Sequence, residues 1–361
     1  MRFKEFNTAW IHSKIGEICE IEMCKRIFSN QTNTIGGVPF YKIGTIGGKP
    51  DAWISENLFN EYKDKYNYPQ KGEILITCSG TVGKCIIFNG KDAYFQDSNI
   101  VWLANKSTVL DIFLFYIMNN IDWSYLNSTT ISRIYGSDLR NLNFYYPSNK
   151  NEQQKITDFL SLIDNRIDTQ SKIIEQYESL IKAISNILIS KTNGNVVALS
   201  EIAKIYQPET ITQSKFNENG KFPVFGANGI IGHYNFYNHE NAQICITCRG
   251  ATCGNVNLSL PNSWITGNSM VINTDECTRI NKMYLYYLLK NYNFKSIISG
   301  SGQPQIVREP ISAIKINLPI IQNQNKIVKI LNTYNELLRK EKDILELYKK
   351  QKAYLLKNMF I

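Results

Sequence analysis

Two stretches of the chain carry apolar residues at alternating steps of four and three. The first series is Ile156, Leu160, Ile163, Ile167, Ile174, Tyr177, Ile181, Ile184 and Leu188, with one polar member at Gln170. The second is Ile327, Leu331, Tyr334, Leu338, Leu345, Tyr348, Leu355 and Met359, with polar Glu341 and Lys352 on the same ladder. A mean step near 3.5 keeps every member on one narrow seam of an α-helix, which is the pattern of a coiled coil. Neither stretch contains Pro or Gly, and Asn193-Gly194 offers the first a C-terminal stop. Each therefore predicts a helix of roughly 35–40 residues, roughly 55 Å long at 1.5 Å per residue. The helices are expected to pair through Ile156, Leu160, Ile163, Ile167, Gln170 and Ile174 against Ile327, Leu331, Leu338, Glu341 and Leu345. The competing arrangement, two amphipathic helices each packed only on its own module, calls for a wider apolar stripe.

The segments between these helices repeat. Ile15-Gly16-Glu17-Ile18 answers Leu199-Ser200-Glu201-Ile202, and Pro39-Phe40-Tyr41 answers Pro223-Val224-Phe225, both at a shift of 184. Ile76-Thr77-Cys78-Ser79-Gly80 then answers Ile246-Thr247-Cys248-Arg249-Gly250 at 170, and Asp97-Ser98 answers Asn268-Ser269 at 171. The fall in shift places an insertion near residues 50–70 of the first copy. Within each copy, Glu73–Thr77 and Gln243–Thr247 are rich in β-branched residues and run into glycine turns, as strands do. Ile112–Met118 and Met283–Leu289 are apolar runs compatible with buried helices. The expected fold is α+β: a first globular module over 1–150, a helix over 151–192, a second module over 193–321 and a helix over 322–361.

Charge adds direction without deciding the function. Forty Lys and Arg against thirty-one Asp and Glu give +9, a balance common among proteins that meet polyanions. No apolar run approaches the roughly 18 residues of a membrane span, and Met1–Trp10 lacks the apolar core of a secretory signal. A cytoplasmic protein without a membrane partner is expected. Eight cysteines without a regular framework fit reduced thiols.

Catalytic signatures are weak. Asp51, Glu61 and Lys63 spell the residue types of a metal-dependent nuclease, but Glu56–Glu61 is polar, unlike a strand, and lies in the insertion that the second copy lacks. An amino-methyltransferase needs Asp or Asn before two prolines and an aromatic residue, and Asn143-Phe144-Tyr145-Tyr146-Pro147 only resembles that. There is no phosphate loop of the Gly-x4-Gly-Lys-Ser/Thr type. Cys245, Cys248 and Cys253 lie near His233 and His239, yet the two clean ligand pairs of structural zinc are missing, so buried thiols and no metal are expected. A protein-binding coiled-coil scaffold is the other alternative.

Polar turns at repeat-equivalent positions are the candidates for DNA contact, since glycines admit a close backbone and polar side chains read base edges. One pair is Ser79-Gly80-Thr81-Val82-Gly83-Lys84 and Arg249-Gly250-Ala251-Thr252-Cys253-Gly254. A second is Thr129–Tyr135 and Ser301–Ile306, which sets Arg133 opposite Gln305, a guanine-type against an adenine-type reader. A third is Lys42-Ile43-Gly44 and Gly226-Ala227-Asn228. The named candidates are Lys42, Ser79, Thr81, Lys84, Arg133 and Tyr135 in the first copy, and Asn228, Arg249, Thr252, Gln303 and Gln305 in the second.

The whole chain resembles the specificity subunits of type I restriction-modification systems. The resemblance is carried by Pro147-x4-Glu152-Gln153-Gln154-Lys155-Ile156, Gly300-x2-Gln303-Pro304-Gln305-Ile306, Asn228-Gly229-Ile230-Ile231-Gly232 and Gln96-Asp97-Ser98-Asn99. Pro319-x4-Gln324-Asn325-Lys326-Ile327 departs from the pattern, lacking the Glu and one residue. The resemblance implies two target-recognition domains reading the halves of a split asymmetric site in double-stranded DNA, on an antiparallel helix pair that sets their spacing. It implies two methyltransferase subunits that methylate adenine N6 with S-adenosylmethionine, and optional restriction subunits using ATP and magnesium. It implies no cofactor and no catalytic residue in this chain.

Overall fold

The computed structural model describes residues 2–106, 109–123, 133–300 and 302–360. The chain forms two compact units, Met1–Thr169 with Leu345–Ile361, and Gln170–Ile344.

In the first unit, β1 (Trp10–Lys14) passes through the single turn α1 (Ile15–Ile18) into β2 (Cys19–Glu22). There follow β3 (Val38–Tyr41), β4 (Trp53–Ile54), α2 (Glu56–Lys65), β5 (Ile74–Thr77), β6 (Cys85–Ile87), β7 (Tyr94–Phe95) and β8 (Ile100–Asn105). Helices α3 (Asp111–Asn120) and α4 (Gly136–Asn141), strand β9 (Asn143–Pro147) and the start of α5 (Lys150–Lys191) complete it. The strands make an antiparallel sheet β2-β8-β5-β6, a smaller sheet β4-β3-β7 with β7 parallel to β3, and a β1-β9 ribbon. Ile74-Leu75-Ile76 shows no polar alternation because both faces of β5 are covered. Ile74 and Ile76 join Phe113, Leu114 and Leu160 on one side, while Leu75 joins Phe40, Ile54 and Phe59 on the other.

The second unit repeats that plan. Its elements are β10 (Asn195–Ala198), β11 (Lys204–Tyr206), β12 (Phe222–Phe225), β13 (Ile230–Tyr234), β14 (Ile244–Thr247), β15 (Val256–Leu258), β16 (Trp264–Ile265) and β17 (Ser269–Asn273). Helices α6 (Lys282–Asn291) and α7 (Arg308–Ser312), strand β18 (Lys315–Leu318) and the start of α8 (Ile321–Met359) follow. Sheets β11-β17-β14-β15, β13-β12-β16 and β10-β18 match those of the first unit strand for strand. The insertion expected near residues 50–70 is α2. The partner of β12 is the hairpin strand β13, where β3 has only the two-residue β4.

Helices α5 and α8 run for 42 and 39 residues and pack together antiparallel. In the first unit Ile156, Leu160 and Ile163 share a core with Leu355 and Met359, and Lys352 Nζ meets Asp164 Oδ1. In the second unit the amide of Gln170 donates to Glu341 Oε2 at 2.6 Å, so the polar rungs of the two ladders answer one another. Ile174, Ile327 and Leu331 are buried, whereas Ile167, Leu338, Glu341 and Leu345 are half-buried. The expected stop at Asn193-Gly194 works differently from a left-handed cap. Helix α5 ends at Lys191, and a Cβ on Gly194 would stand 2.4 Å from the carbonyl carbon of Leu318, so this glycine admits the close approach of β18.

A buried glutamine fixes the start of each long helix. Gln153 donates to the Pro147 carbonyl at 2.8 Å and accepts from Leu110 N–H at 2.8 Å. Gln324 donates to the Pro319 carbonyl at 2.7 Å and accepts from Asn281 N–H at 2.8 Å. Each ties the end of a strand and the start of α3 or α6 to the long helix. The glutamine survives in the second copy although the neighbouring Glu152 does not.

Candidate nucleic-acid interface

The turns after β5 and β14 are closed by matching hydrogen bonds. Gly83 N–H donates to the Thr77 carbonyl at 2.8 Å, and Gly254 N–H to the Thr247 carbonyl at 2.8 Å. Thr77 N–H in turn donates to Lys84 O at 3.0 Å, and Thr247 N–H to Asn255 O at 2.8 Å. Gly83 therefore answers Gly254, and the second turn is one residue longer. Both glycines have positive φ, 78° and 91°.

Against each turn lies the second candidate loop. Ile134 N–H donates to Cys78 O at 2.8 Å, and Ile306 N–H to Cys248 O at 3.0 Å. Ser79 forms an isolated bridge with Arg133, and Arg249 with Gln305. Arg133 and Gln305 thus occupy the same backbone position, as the repeat predicts. Thr129–Ser132 and Ser301 lie outside the described residues.

The third loop also joins. In the first unit Ile43 N–H donates to Gln96 Oε1 at 3.3 Å, and Lys84 Nζ donates to Ile46 O. In the second, Thr247 Oγ1 donates to Ala227 O at 2.7 Å and Asn228 Nδ2 to Thr252 Oγ1 at 2.8 Å. Each unit therefore gathers its three candidate loops into one cluster. Thr81, Lys84, Tyr135, Asn228, Arg249, Thr252, Gln303 and Gln305 are exposed, while Lys42, Ser79 and Arg133 are half-buried. Lys42 is partly neutralised, its Nζ 3.1 Å from Asp51 Oδ1.

Two polar residues that steady this cluster stand outside the candidate set. Asn99 accepts from Ser79 Oγ at 2.7 Å through Oδ1 and from Cys78 N–H at 2.7 Å through its carbonyl, and Gln96 holds the third loop. Between them Ser98 adopts φ 44°, a left-handed conformation unusual outside glycine. The recurrence read from the sequence, Asp97-Ser98 as Asn268-Ser269, is two residues out of register: Thr247 pairs with Ser269 where Thr77 pairs with Ile100, which puts Asn268 at the place of Asn99. In the second unit Asn268 O accepts from Cys248 N–H at 3.2 Å, and Ser269 Oγ donates to Gly226 O at 3.2 Å.

The weaker catalytic patterns resolve into ordinary pairs. Asp51 faces Lys42, and Glu61 sits on α2 with Lys65 Nζ at 2.9 Å one turn away. Burial pushes the Cys78 thiol up to about 11 and the Cys245 thiol up to about 12. His239 Nε2 is occupied by Tyr206 OH at 2.8 Å. Among the described residues no group of three His, Cys, Asp or Glu side chains is placed to hold a metal ion, and no helix is long and apolar enough to cross a membrane.

Comparison with known proteins gives the family of the chain. The profile of the type I restriction modification DNA specificity domain matches the chain twice, over residues 7–179 and 192–347. The chain belongs to that family. Among its relatives, a putative type I restriction enzyme specificity subunit of Haemophilus influenzae is 40% identical over 195 residues, 54% of this chain and 45% of that protein. The match thus spans under half of that relative's length. The EcoprrI specificity subunit of Escherichia coli is 23% identical over 293 residues, 74% of this chain and 72% of that one. The crystal structure of the type I restriction-modification S subunit from M. genitalium shares the fold with a TM-score of 0.60 at 22% identity, covering 100% of this chain and 99% of that one. Each family match takes in one of the two loop clusters.

Proposed function

We propose that this specificity subunit reads a split, asymmetric site in double-stranded DNA, each unit contacting one half through its three gathered loops. Two methyltransferase subunits supply S-adenosylmethionine-dependent methylation of adenine N6, and restriction subunits supply ATP- and magnesium-dependent cleavage in the cytoplasm. This chain contributes the choice of sequence and no bond-making group. One observation carries the reading: the same loop cluster is built twice on the same hydrogen-bonded frame, with different side chains at equivalent places. Ser79 stands where the second unit has Arg249, and Arg133 where it has Gln305. A shared frame with unlike contact residues is what two readers of unlike half-sites require.

The test exchanges residues 1–150 for the first module of another family member and maps methylated adenines in cells that supply the partner subunits. One half of the methylated sequence is expected to change while the other stays. A change in both halves, or in neither, would overturn the proposal.

A further inference from the structure

Arg249 is exposed on its turn. Arg133 is built differently. Its guanidinium lies over the Tyr135 ring, Cζ 5.7 Å from the centroid, and its Nε–H is buried without a hydrogen-bond partner. Beside it opens a cavity of about 230 Å³ whose lining includes Arg133, Arg140, Tyr135, Ser98, Met23 and Glu22. Among the described residues neither arginine forms an ion pair, although Arg140 is near enough to Glu20 to help hold that carboxyl down, and Glu22 is the one acid of the lining.

A buried guanidinium N–H without an acceptor carries its full desolvation cost, which an anion entering the cavity removes. Reading guanine requires an outstretched two-pronged donor in the major groove. Arg133 instead lies over the Tyr135 ring with its Nε–H buried, a local cation suited to a phosphate.

The second unit has no such pair. Gln305 occupies the place of Arg133. The register holds onward, because Leu142 O accepts from Ile15 N–H at 2.9 Å and Ile314 O from Leu199 N–H at 2.8 Å, which puts Ser312 at the place of Arg140. We propose that the Arg133–Arg140 cavity seats a backbone phosphate of the first half-site, giving the first unit an ionic contact that the second lacks. This rests on the DNA-reading function proposed above.

The test uses the full chain in complex with its methyltransferase subunits. Binding is titrated against salt on the methylated site and on duplexes altered one base pair at a time. Arg133→Gln and Arg140→Ser are expected to weaken binding to all duplexes by the same factor. Each should also flatten the slope of log K against log salt by up to about 0.9, the share of one phosphate. Arg133→Lys, which keeps the charge, is expected to retain the slope. An unchanged slope in both variants overturns the proposal, as does loss of discrimination at a single base pair with the slope preserved, which would make Arg133 a base reader. Should Arg133→Gln fail to fold, the exposed Arg140→Ser decides alone. A wild-type complex that prefers no sequence would instead refute the underlying function.

Discussion

Sheet β2-β8-β5-β6 of the first unit and sheet β11-β17-β14-β15 of the second have the same strand order, yet the layers over their outer faces differ in chemistry. Over the first lie Phe40, Ile54, Phe59, Phe88 and Phe95. Over the second the apolar cluster holds Phe225 and Ile265 against Cys245 and Val271 of the sheet itself, and buried His239, Gln243, Ser259 and Ser263 stand nearby. That polar set is held by hydrogen bonds such as Gln243 N–H to Ser259 Oγ at 2.9 Å and Ser263 Oγ to Leu260 O at 2.7 Å. The satisfaction is incomplete, because Trp264 Nε1, Thr266 Oγ1 and Gln243 Oε1 are buried without partners. The inner faces, which carry α3 or α6 and a long helix, are apolar in both units. The frame is thus fixed from the helix side, while the outer layer, which carries the third loop, differs in chemistry with most of its polar groups paired.

The largest expected difference between the units lies at their matched turn glycines. A Cβ on Gly83 would stand 2.2 Å from the Trp123 ring, whereas on Gly254 its nearest neighbour is Phe294 Cβ at 3.0 Å. Both substitutions pay for a left-handed backbone, about 1–2 kcal/mol. Only the first must also displace an aromatic ring, an overpacking cost of about 1–3 kcal/mol. Gly83→Ala should therefore lower stability by about 2–5 kcal/mol and Gly254→Ala by about 1–2 kcal/mol in urea unfolding. Equal losses would show that Trp123 yields and that the turns are not braced unequally.

A smaller contrast concerns the tyrosines that tie α3 and α6 to the long helices. Tyr116 OH donates to Asp164 Oδ2 at 2.8 Å, and that carboxylate also meets Lys352. Tyr287 OH donates to Asn332 Oδ1 at 2.7 Å, and Asn335 Nδ2 donates to it at 3.3 Å. The first bond ends on a charge and the second on neutral amides. Tyr116→Phe is expected to cost about 1.5–2 kcal/mol, the low end for a charged acceptor because Asp164 is a third exposed, against about 1 kcal/mol for Tyr287→Phe. Thermal unfolding of the two variants checks the order, and a reversal would mean that Asp164 is held by Lys352 alone.

These contrasts also mark where the sequence stopped being readable. The ladders from Ile156 and Ile327 and the placement of Arg133 opposite Gln305 were legible, because helical periodicity and a fixed repeat shift survive without coordinates. The roles of Gln153 and Gln324 were not, since a buried amide bridging a strand end and a distant helix start has no local signature. The same holds for Asn99, whose partner Ser79 is twenty residues away. Arg133 was legible as a cation in a loop. Its buried Nε–H and its place over the Tyr135 ring depend on packing that composition does not encode.

The smallest expected effect separates the units by pH. His239 is buried, its Nδ1 2.6 Å from Asn238 Oδ1 and its Nε2 2.8 Å from Tyr206 OH. Asn238 Oδ1 also accepts from Ile265 N–H, so it acts as an acceptor and the imidazole proton sits on Nδ1. Burial lowers the affinity of this ring for a second proton, and the negative charge of Asp275 offsets only part of that. Above the ordinary imidazole value of 6.5 both folded and unfolded forms are neutral and the network contributes fully. As pH falls below that value the unfolded chain takes up a proton that the folded chain refuses, so stability declines until the depressed folded value is passed. His239 stands in the outer layer of the second unit, so the part of any such slope that vanishes in a His239 variant belongs to that layer. Between pH 7.5 and 5.5 the wild-type chain should lose up to about 1 kcal/mol more than His239→Gln, which keeps a donor and an acceptor without the titration. Urea midpoints at the two pH values measure it. Parallel losses in both proteins would place the acid sensitivity elsewhere and remove the polar layer as a difference in stability between the two units.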